Sequence, residues 1–203
     1  MAKLSLVGTP IGNLEDITLR ALRVLQGADL VLCEDTRVTR KLLSHYKITT
    51  PVESFHEHSS QAKIDRILGL LRAEKNIALT TDAGTPGVAD PGSFLVATVR
   101  AELRDMVSIE AIPGPSSLTA ALSIGGLSGD NFLFLGFLPH KKGRETLFKE
   151  IAASERAVIF YESPHRILKT LDSLQKHAGD ERSVIIAREM TKLHEQVVTG
   201  SPS

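Results

Sequence analysis

Two short stretches of this 203-residue chain carry side chains that could do chemistry. The first is Thr80–Ser93, TTDAGTPGVADPGS, rich in Gly, Pro and Asp and free of Lys and Arg. It follows an apolar run, Ile77-Ala78-Leu79, that reads as a buried strand, and it precedes a helical pattern from Phe94 to about Arg104. A glycine-rich loop at the carboxyl end of a strand is where open α/β sheets place ligands. Gly84, Gly87 and Gly92 let backbone come close to a ligand, while Pro86 and Pro91 stiffen the path. Loops that cradle phosphate usually add a Lys, a following Ser/Thr or a helix N-terminus. Asp82 and Asp90 instead repel a pyrophosphate and attract ribose hydroxyls, an ammonium or a sulfonium. The loop argues for a neutral or cationic nucleoside ligand. The second stretch, Cys33-Glu34-Asp35-Thr36-Arg37, ends another strand with charged groups. Glu34, Asp35 and Arg37 could position a substrate and accept a proton there; alternatively, Asp35 or Thr36 caps a helix and the charges are solvated.

Lesser signals surround these two. Arg37, Arg40, Lys41 and Lys47 lie within Thr36–Lys47 without an acid, a stripe suited to phosphates or simply a solvated helix face. Lys141, Lys142 and Arg144 form a second basic patch in LPHKKGR, and together the two could make a phosphate-reading rim. His56-Glu57-His58 suggests a metal pair, yet His residues at i, i+2 oppose each other on a helix and no third ligand is evident. No metal is expected; His56 and Glu57 are better candidates for orienting a hydroxyl. GTPIGN after the first strand fails the dinucleotide fingerprint, and no P-loop or G-x-S-x-G elbow occurs. Thr9 and Pro10 there sit in a ligand loop or a plain turn, with Asn13 and Asp16 capping the following helix. In PGPSS, Ser116 or Ser117 could cap a helix and contact a ligand at once. YESPHR reads as a strand-to-helix turn with Ser163 as N-cap and Pro164 at the first helical position, which leaves Tyr161, His165 and Arg166 unexplained.

The elements that position these residues alternate. Leu4–Val7, Asp29–Cys33, Ile77–Thr80 and Val107–Ile112 read as strands, then Phe132–Phe137, Ala157–Tyr161 and Val184–Ala187. Leu19, Leu22 and Leu25 share one helical face, and Ile64, Ile67, Leu68 and Leu71 another; further helices are expected near Leu118–Ile124, Glu145–Ala153 and Ile167–His177. Alternation of this kind predicts an α/β fold with mostly parallel sheets, in two α/β domains, 1–113 and 114–203, broken at the proline-glycine turn. Only about three strands fall in the second half, which therefore looks unfinished at Ser203. Apolar residues make up 42% of the chain, enough for a core, and the net charge of zero gives no global polyanion signature. The single cysteine, Cys33, excludes an internal disulfide and reads as a small core residue. No signal peptide or transmembrane run is present, so a cytoplasmic protein is expected.

LVGTPIGN, CEDTR, DAGTPGVADPG, IPGPSS, FLPHKKGR and YESPHR occur in an order that resembles the tetrapyrrole-methylase-like (class III) SAM-dependent methyltransferases. The likeness runs from Leu4 to at least Glu189 and is narrower toward the branch that methylates the 2′-hydroxyl of a cytidine in the decoding region of small-subunit ribosomal RNA. It implies two α/β domains, S-adenosyl-L-methionine in a cleft between them, a homodimer, and small ribosomal subunit RNA as partner. By motif match, Thr9, Pro10, Asp82, Gly84, Pro86, Val88, Ala89, Asp90, Ser116, Ser117, Leu138 and Pro164 would line the cofactor site. Glu34, Asp35, His56 and Glu57 would supply a base, with Arg37 orienting a phosphate or carboxylate; Arg40, Lys41, Lys141, Lys142 and Arg144 would meet RNA. C-methylation of a tetrapyrrole and a non-catalytic SAM-binding module remain as alternatives.

Overall fold

The structure, a computed structural model, describes every residue except Glu57 and Ser128. The chain divides into two compact units, Met1–Ser117 and Leu118–Ser203.

The first unit is built on five parallel strands: β1 (Ala2–Val7), β2 (Leu30–Cys33), β3 (Val52–Ser54), β4 (Ile77–Leu79) and β5 (Val107–Ile112), in the order β3-β2-β4-β1-β5. Every residue of β2 and β4 is buried, as a central parallel strand covered on both faces requires. Four helices connect them: α1 (Leu19–Gly27), α2 (Thr36–His45), α3 (Gln61–Arg72) and α4 (Gly92–Leu103). Their starts are fixed locally, since Thr18, Asp35 and Ser60 each accept a hydrogen bond from a first-turn amide.

The connections β1-α1-β2 and β2-α2-β3 run toward one edge of the sheet, whereas β3-α3-β4 and β4-α4-β5 run back. Right-handed crossovers then put α1 and α2 on one face and α3 and α4 on the other. The two hydrophobic clusters of this unit divide the same way. One packs Ile64, Ile67, Leu68, Leu71, Leu95, Val99 and Leu103 on the sheet; the other packs Ala21, Leu25 and Leu43. Leu19 departs from the expected apolar face, for it stands in the first turn of α1 and is 81% exposed. Ala21 and Leu25 bury that helix instead.

The second unit contains most of α5 (Ser117–Gly125), then β6 (Phe132–Phe137), α6 (Arg144–Ala153), β7 (Ala157–Tyr161), α7 (Ile167–Ala178), β8 (Val184–Arg188) and β9 (Gln196–Gly200). β6 and β7 pair in parallel, with a register shift at Gly136, whose φ is 61°. β8 and β9 form a separate antiparallel pair, so among its described residues this half holds four strands where about three were expected. Leu138, Phe148, Ile151 and Leu174 centre its core. Among the described residues no helix is long and apolar enough to cross a membrane.

One backbone contact in the first unit leaves no room for a side chain. A Cβ on Gly8 would lie 2.8 Å from Gly114 Cα, and one on Gly114 would lie 2.9 Å from Gly8 O. Gly69, inside α3, has open space around it. Gly8→Ala is therefore expected to destabilise the protein by about 1–3 kcal/mol through overpacking, and Gly69→Ala to stabilise it by about 0.5–1 kcal/mol. Denaturant midpoints of the two variants read both signs.

Candidate active site

The loops after β1, β4 and β5 are tied to one another at the carboxyl edge of the first sheet. Thr9 and Gly84 exchange backbone hydrogen bonds of 2.9 and 3.0 Å, and Gly8 N donates to Ile112 O at 3.0 Å. The Thr9 hydroxyl donates to Thr81 O at 3.1 Å, and the Thr85 hydroxyl to Pro115 O at 3.3 Å. Thr9 is thus a buried tie, with its hydroxyl turned to the neighbouring loop; Pro10, half-buried, follows it. Gly84 and Gly87 both adopt φ of 88°, which only glycine takes freely, and Ala89 is held at φ 64°. Asp90 braces the loop from inside: its carboxylate accepts from Gly87 N at 2.8 Å and from Gly92 N at 2.7 Å. Asp82 reaches the other way and accepts from Asp35 N at 3.0 Å. Pro86 is buried, Val88 half-buried and Ala89 exposed; Ser116 and Ser117 are half-buried after β5.

The other side of the β4 loop faces β2 and β3. Helix α4 leaves β4 on the opposite face from α1 and α2, which leave β1 and β2. Chain therefore diverges on both flanks of β4, the arrangement that opens ligand crevices beyond a parallel sheet. On the β2 flank lies an open concavity of about 600 Å³, lined by Glu34, His56, Ala89, Asp90 and Phe94 among others. Glu34 points into it and accepts a short hydrogen bond from the Thr81 hydroxyl. Asp35 does not share that role. It is the N-cap of α2, accepts from Arg37 N at 2.8 Å and pairs with the Arg37 guanidinium at 2.6 Å. The Arg37 side chain, and next its amide, hold the Asp35 carboxyl down at about 2. A carboxylate so stabilised is a poor proton acceptor.

His56 lines the concavity with His58, their rings 6.3 Å apart; Glu57, the other expected base, lies outside the described residues. Among the described residues no group of three or more His, Cys, Asp or Glu side chains is arranged to hold a metal. Arg37, Arg40 and Lys41 are exposed on α2, one helical face beginning at the rim. Phe94 and Thr81 were not singled out in the sequence. The signal for Phe94 is its phase: Leu95, Val99 and Leu103 form the buried face of α4, and Phe94 falls off it, half exposed.

In the second unit the basic patch divides. Lys141 and Lys142 are exposed, but Arg144 is built into the fold. It donates to Pro139 O at 3.1 Å and to the Thr170 hydroxyl at 2.8 Å, and its guanidinium lies 4.9 Å from the centre of the Phe148 ring. Leu138 is 2% exposed in the core, and its carbonyl accepts from Arg166. Pro164 is exposed in a turn ahead of α7, which starts at Ile167 with Arg166 as N-cap, so Ser163 does not cap it.

Glu162 joins these pieces. Its side chain, 3% exposed, pairs with Arg166 at 2.6 Å and Arg144 at 3.7 Å, and accepts from the Thr170 hydroxyl and Ser163 N. Burial pushes its carboxyl up, but Thr170, Ser163 and the two arginines outweigh that and hold it below the ordinary range. A folded-state value below the unfolded one means stability that is present above about pH 4.3 and lost as pH falls further. Glu162→Gln should flatten that acid limb and cost about 3 kcal/mol at neutral pH, because two half-buried cations lose their counter-charge. Denaturant titrations between pH 3 and 7 check both (the window spans the Glu range of about 4).

Comparison with known proteins agrees with this architecture. Residues 3–202 match the family model of tetrapyrrole (corrin/porphyrin) methylases. Proteins named ribosomal RNA small subunit methyltransferase I are similar: that of Thermotoga maritima is 47% identical over 203 residues, covering 100% of this chain and 90% of its own length. That of Synechocystis is 48% identical over 202 residues, covering 99% of this chain and 71% of its own. Among solved structures, a diphthine synthase superposes with a TM-score of 0.75 at 18% identity, covering 98% of this chain and 82% of its own. A uroporphyrin-III C-methyltransferase from Thermus thermophilus complexed with S-adenosyl homocysteine does so at 0.63 and 22% identity, covering 98% and 88%. With its parallel sheet, its tied loops and a family match over nearly its whole length, the chain belongs to the tetrapyrrole (corrin/porphyrin) methylases.

Proposed function

We propose that the protein transfers a methyl group from S-adenosyl-L-methionine to the ribose 2′-hydroxyl of a cytidine in the decoding region of 16S ribosomal RNA. One juxtaposition carries the reading. At a single sheet edge an acidic loop without Lys or Arg stands beside Glu34, from which the cationic face of α2 sets out. The names of the similar proteins supply the RNA class.

The residues fit the cofactor on chemical grounds. S-adenosylmethionine carries a sulfonium, an ammonium and a ribose and no phosphate. The tied loops offer backbone groups at the left-handed Gly84 and Gly87, and Ser116 and Ser117. Pro10, Pro86 and Val88 supply apolar contact beside them, while Thr9 and Asp90 hold the loops in shape. When bound, the cofactor supplies a methyl group already activated by its positive sulfur.

The chain's own contribution is then positional and acid–base. Holding acceptor oxygen and methyl donor in line can be worth roughly 7–11 kcal/mol. Glu34, fixed by Thr81, orients the acceptor hydroxyl and takes its proton; Asp35 instead anchors α2 and holds Arg37. Arg37, Arg40 and Lys41 receive the phosphates that flank the ribose, where Asp82 and Asp90 would repel them. The same reading puts the protein in the cytoplasm as a homodimer, and assigns the exposed Lys141 and Lys142 to RNA.

Transfer of labelled methyl to unmodified small ribosomal subunits, with the acceptor mapped, tests the reaction. Label on one cytidine ribose is expected; label on a uroporphyrin-type acceptor alone would favour tetrapyrrole C-methylation. Glu34→Gln should lower kcat by about 10²–10⁴-fold and leave S-adenosylhomocysteine affinity unchanged. Equal loss of both would remove Glu34 from the acceptor side. Arg40→Ala should raise KM for subunits and reduce the salt slope of binding by about 1, as measured by filter binding across a salt series.

A further inference from the structure

We infer that the concavity on the β2 flank is a nucleobase site, in which Phe94 stacks against the base of the acceptor nucleotide, unpaired and turned out of its helix. The inference rests on the RNA-methylation reading and adds the residue that grips the base.

Four observations converge on it. Phe94 is a large apolar side chain that is 50% exposed and belongs to neither hydrophobic cluster of its unit. Its backbone is nevertheless firmly set, in the first turn of α4, where Phe94 N donates to Pro91 O at 3.1 Å and the Thr98 hydroxyl donates to Phe94 O at 3.0 Å. The ring therefore stands on a rigid mount, which limits the entropy lost on stacking. It lines the same concavity as Glu34 and His56, so a base lying on it would bring its own ribose toward Glu34. Finally, the walls are acidic through Glu34 and Asp90, which disfavours phosphate in the concavity and leaves it to the base and sugar; the cations of α2 lie outside, on the helix that begins at the rim.

A volume of about 600 Å³ is ample for one nucleoside. Sequence-specific RNA recognition targets unstacked bases that can be splayed out, and aromatic side chains hold such a base by its face. Stacking alone is tolerant of base identity. Phe94 would accordingly secure the nucleotide's position, and hydrogen-bonding groups such as His56 would bear on which base is accepted.

The chain has no tryptophan, so Phe94→Trp places a single indole in the concavity. With S-adenosylhomocysteine present, this variant is expected to lose fluorescence on titration with unmodified small subunits, and to keep methyl transfer within a few-fold of wild type. Phe94→Ala is expected to lower kcat/KM for subunits by about 5- to 150-fold, the range of one base–aromatic stack, with S-adenosylhomocysteine affinity and oligomeric mass unchanged. Phe94→Leu, apolar but not flat, should resemble Ala. Full activity of the Ala variant, an unquenched indole, or rescue by Leu as good as by Trp would overturn the stacking role. A change of oligomeric mass would mean that the ring is covered by a second copy instead. No methyl transfer by the wild type to any RNA would overturn the acceptor reading, and this inference with it.

Discussion

The structure of the first unit depends on a contact between two backbones. Gly8 and Gly114 approach so closely that neither tolerates a Cβ, and this draws the loops after β1 and β5 together at the sheet edge. Thr9 then pairs with Gly84, and the β4 loop is pulled into the same cluster. Backbone and hydroxyl hydrogen bonds thus tie the three loops to one another. A surface made of backbone groups and held in this way is prepared before any ligand arrives, which cuts the ordering cost of binding.

The position of β4 gives that cluster its functional consequence. It lies between β2 and β1, and its helix leaves on the face opposite to theirs, so the loop after it is flanked by two crevices rather than one. On the β1 and β5 flank the loop offers backbone groups; toward β2, Asp82 accepts from Asp35 N, and Ala89, Asp90 and Phe94 line the concavity with Glu34 and His56. In the proposed reading the loop is a barrier between the two crevices, and donor and acceptor meet at its edge with their reacting atoms about 3–3.5 Å apart. The internal bonds of the loop, from Asp90 to Gly87 and Gly92, keep that barrier in shape.

Much of this was legible from residue pattern. Phe132–Phe137 and Ala157–Tyr161 were expected as strands at the bounds observed, and α3 buries the four residues its spacing indicated. β3 escaped notice because three half-buried residues after a proline carry too little alternation to read. β9 escaped because all five of its residues are exposed, so no apolar face marks it. At the site, the acidic loop was recognisable from composition alone. What composition could not give was direction. Arg144 read as part of a basic patch and Arg166 had no assigned role, yet Glu162 gathers both from two separate segments, and Asp35 and Glu34, adjacent in sequence, part company only because one caps α2 and the other bonds Thr81. Long-range partners decide such cases, and spacing does not encode them.

In the proposed reading the β4 loop separates a cofactor flank from an acceptor flank. Hydrogen exchange of the backbone amides, with and without S-adenosylhomocysteine, tests it most directly. Slowed exchange confined to the loops around Thr9–Ile11, Thr81–Ala89 and Gly114–Ser117, with the starts of α2 and the His56 turn unchanged, is the expected result. Protection centred on Glu34, His56 and Phe94, with none at the tied loops, would contradict it.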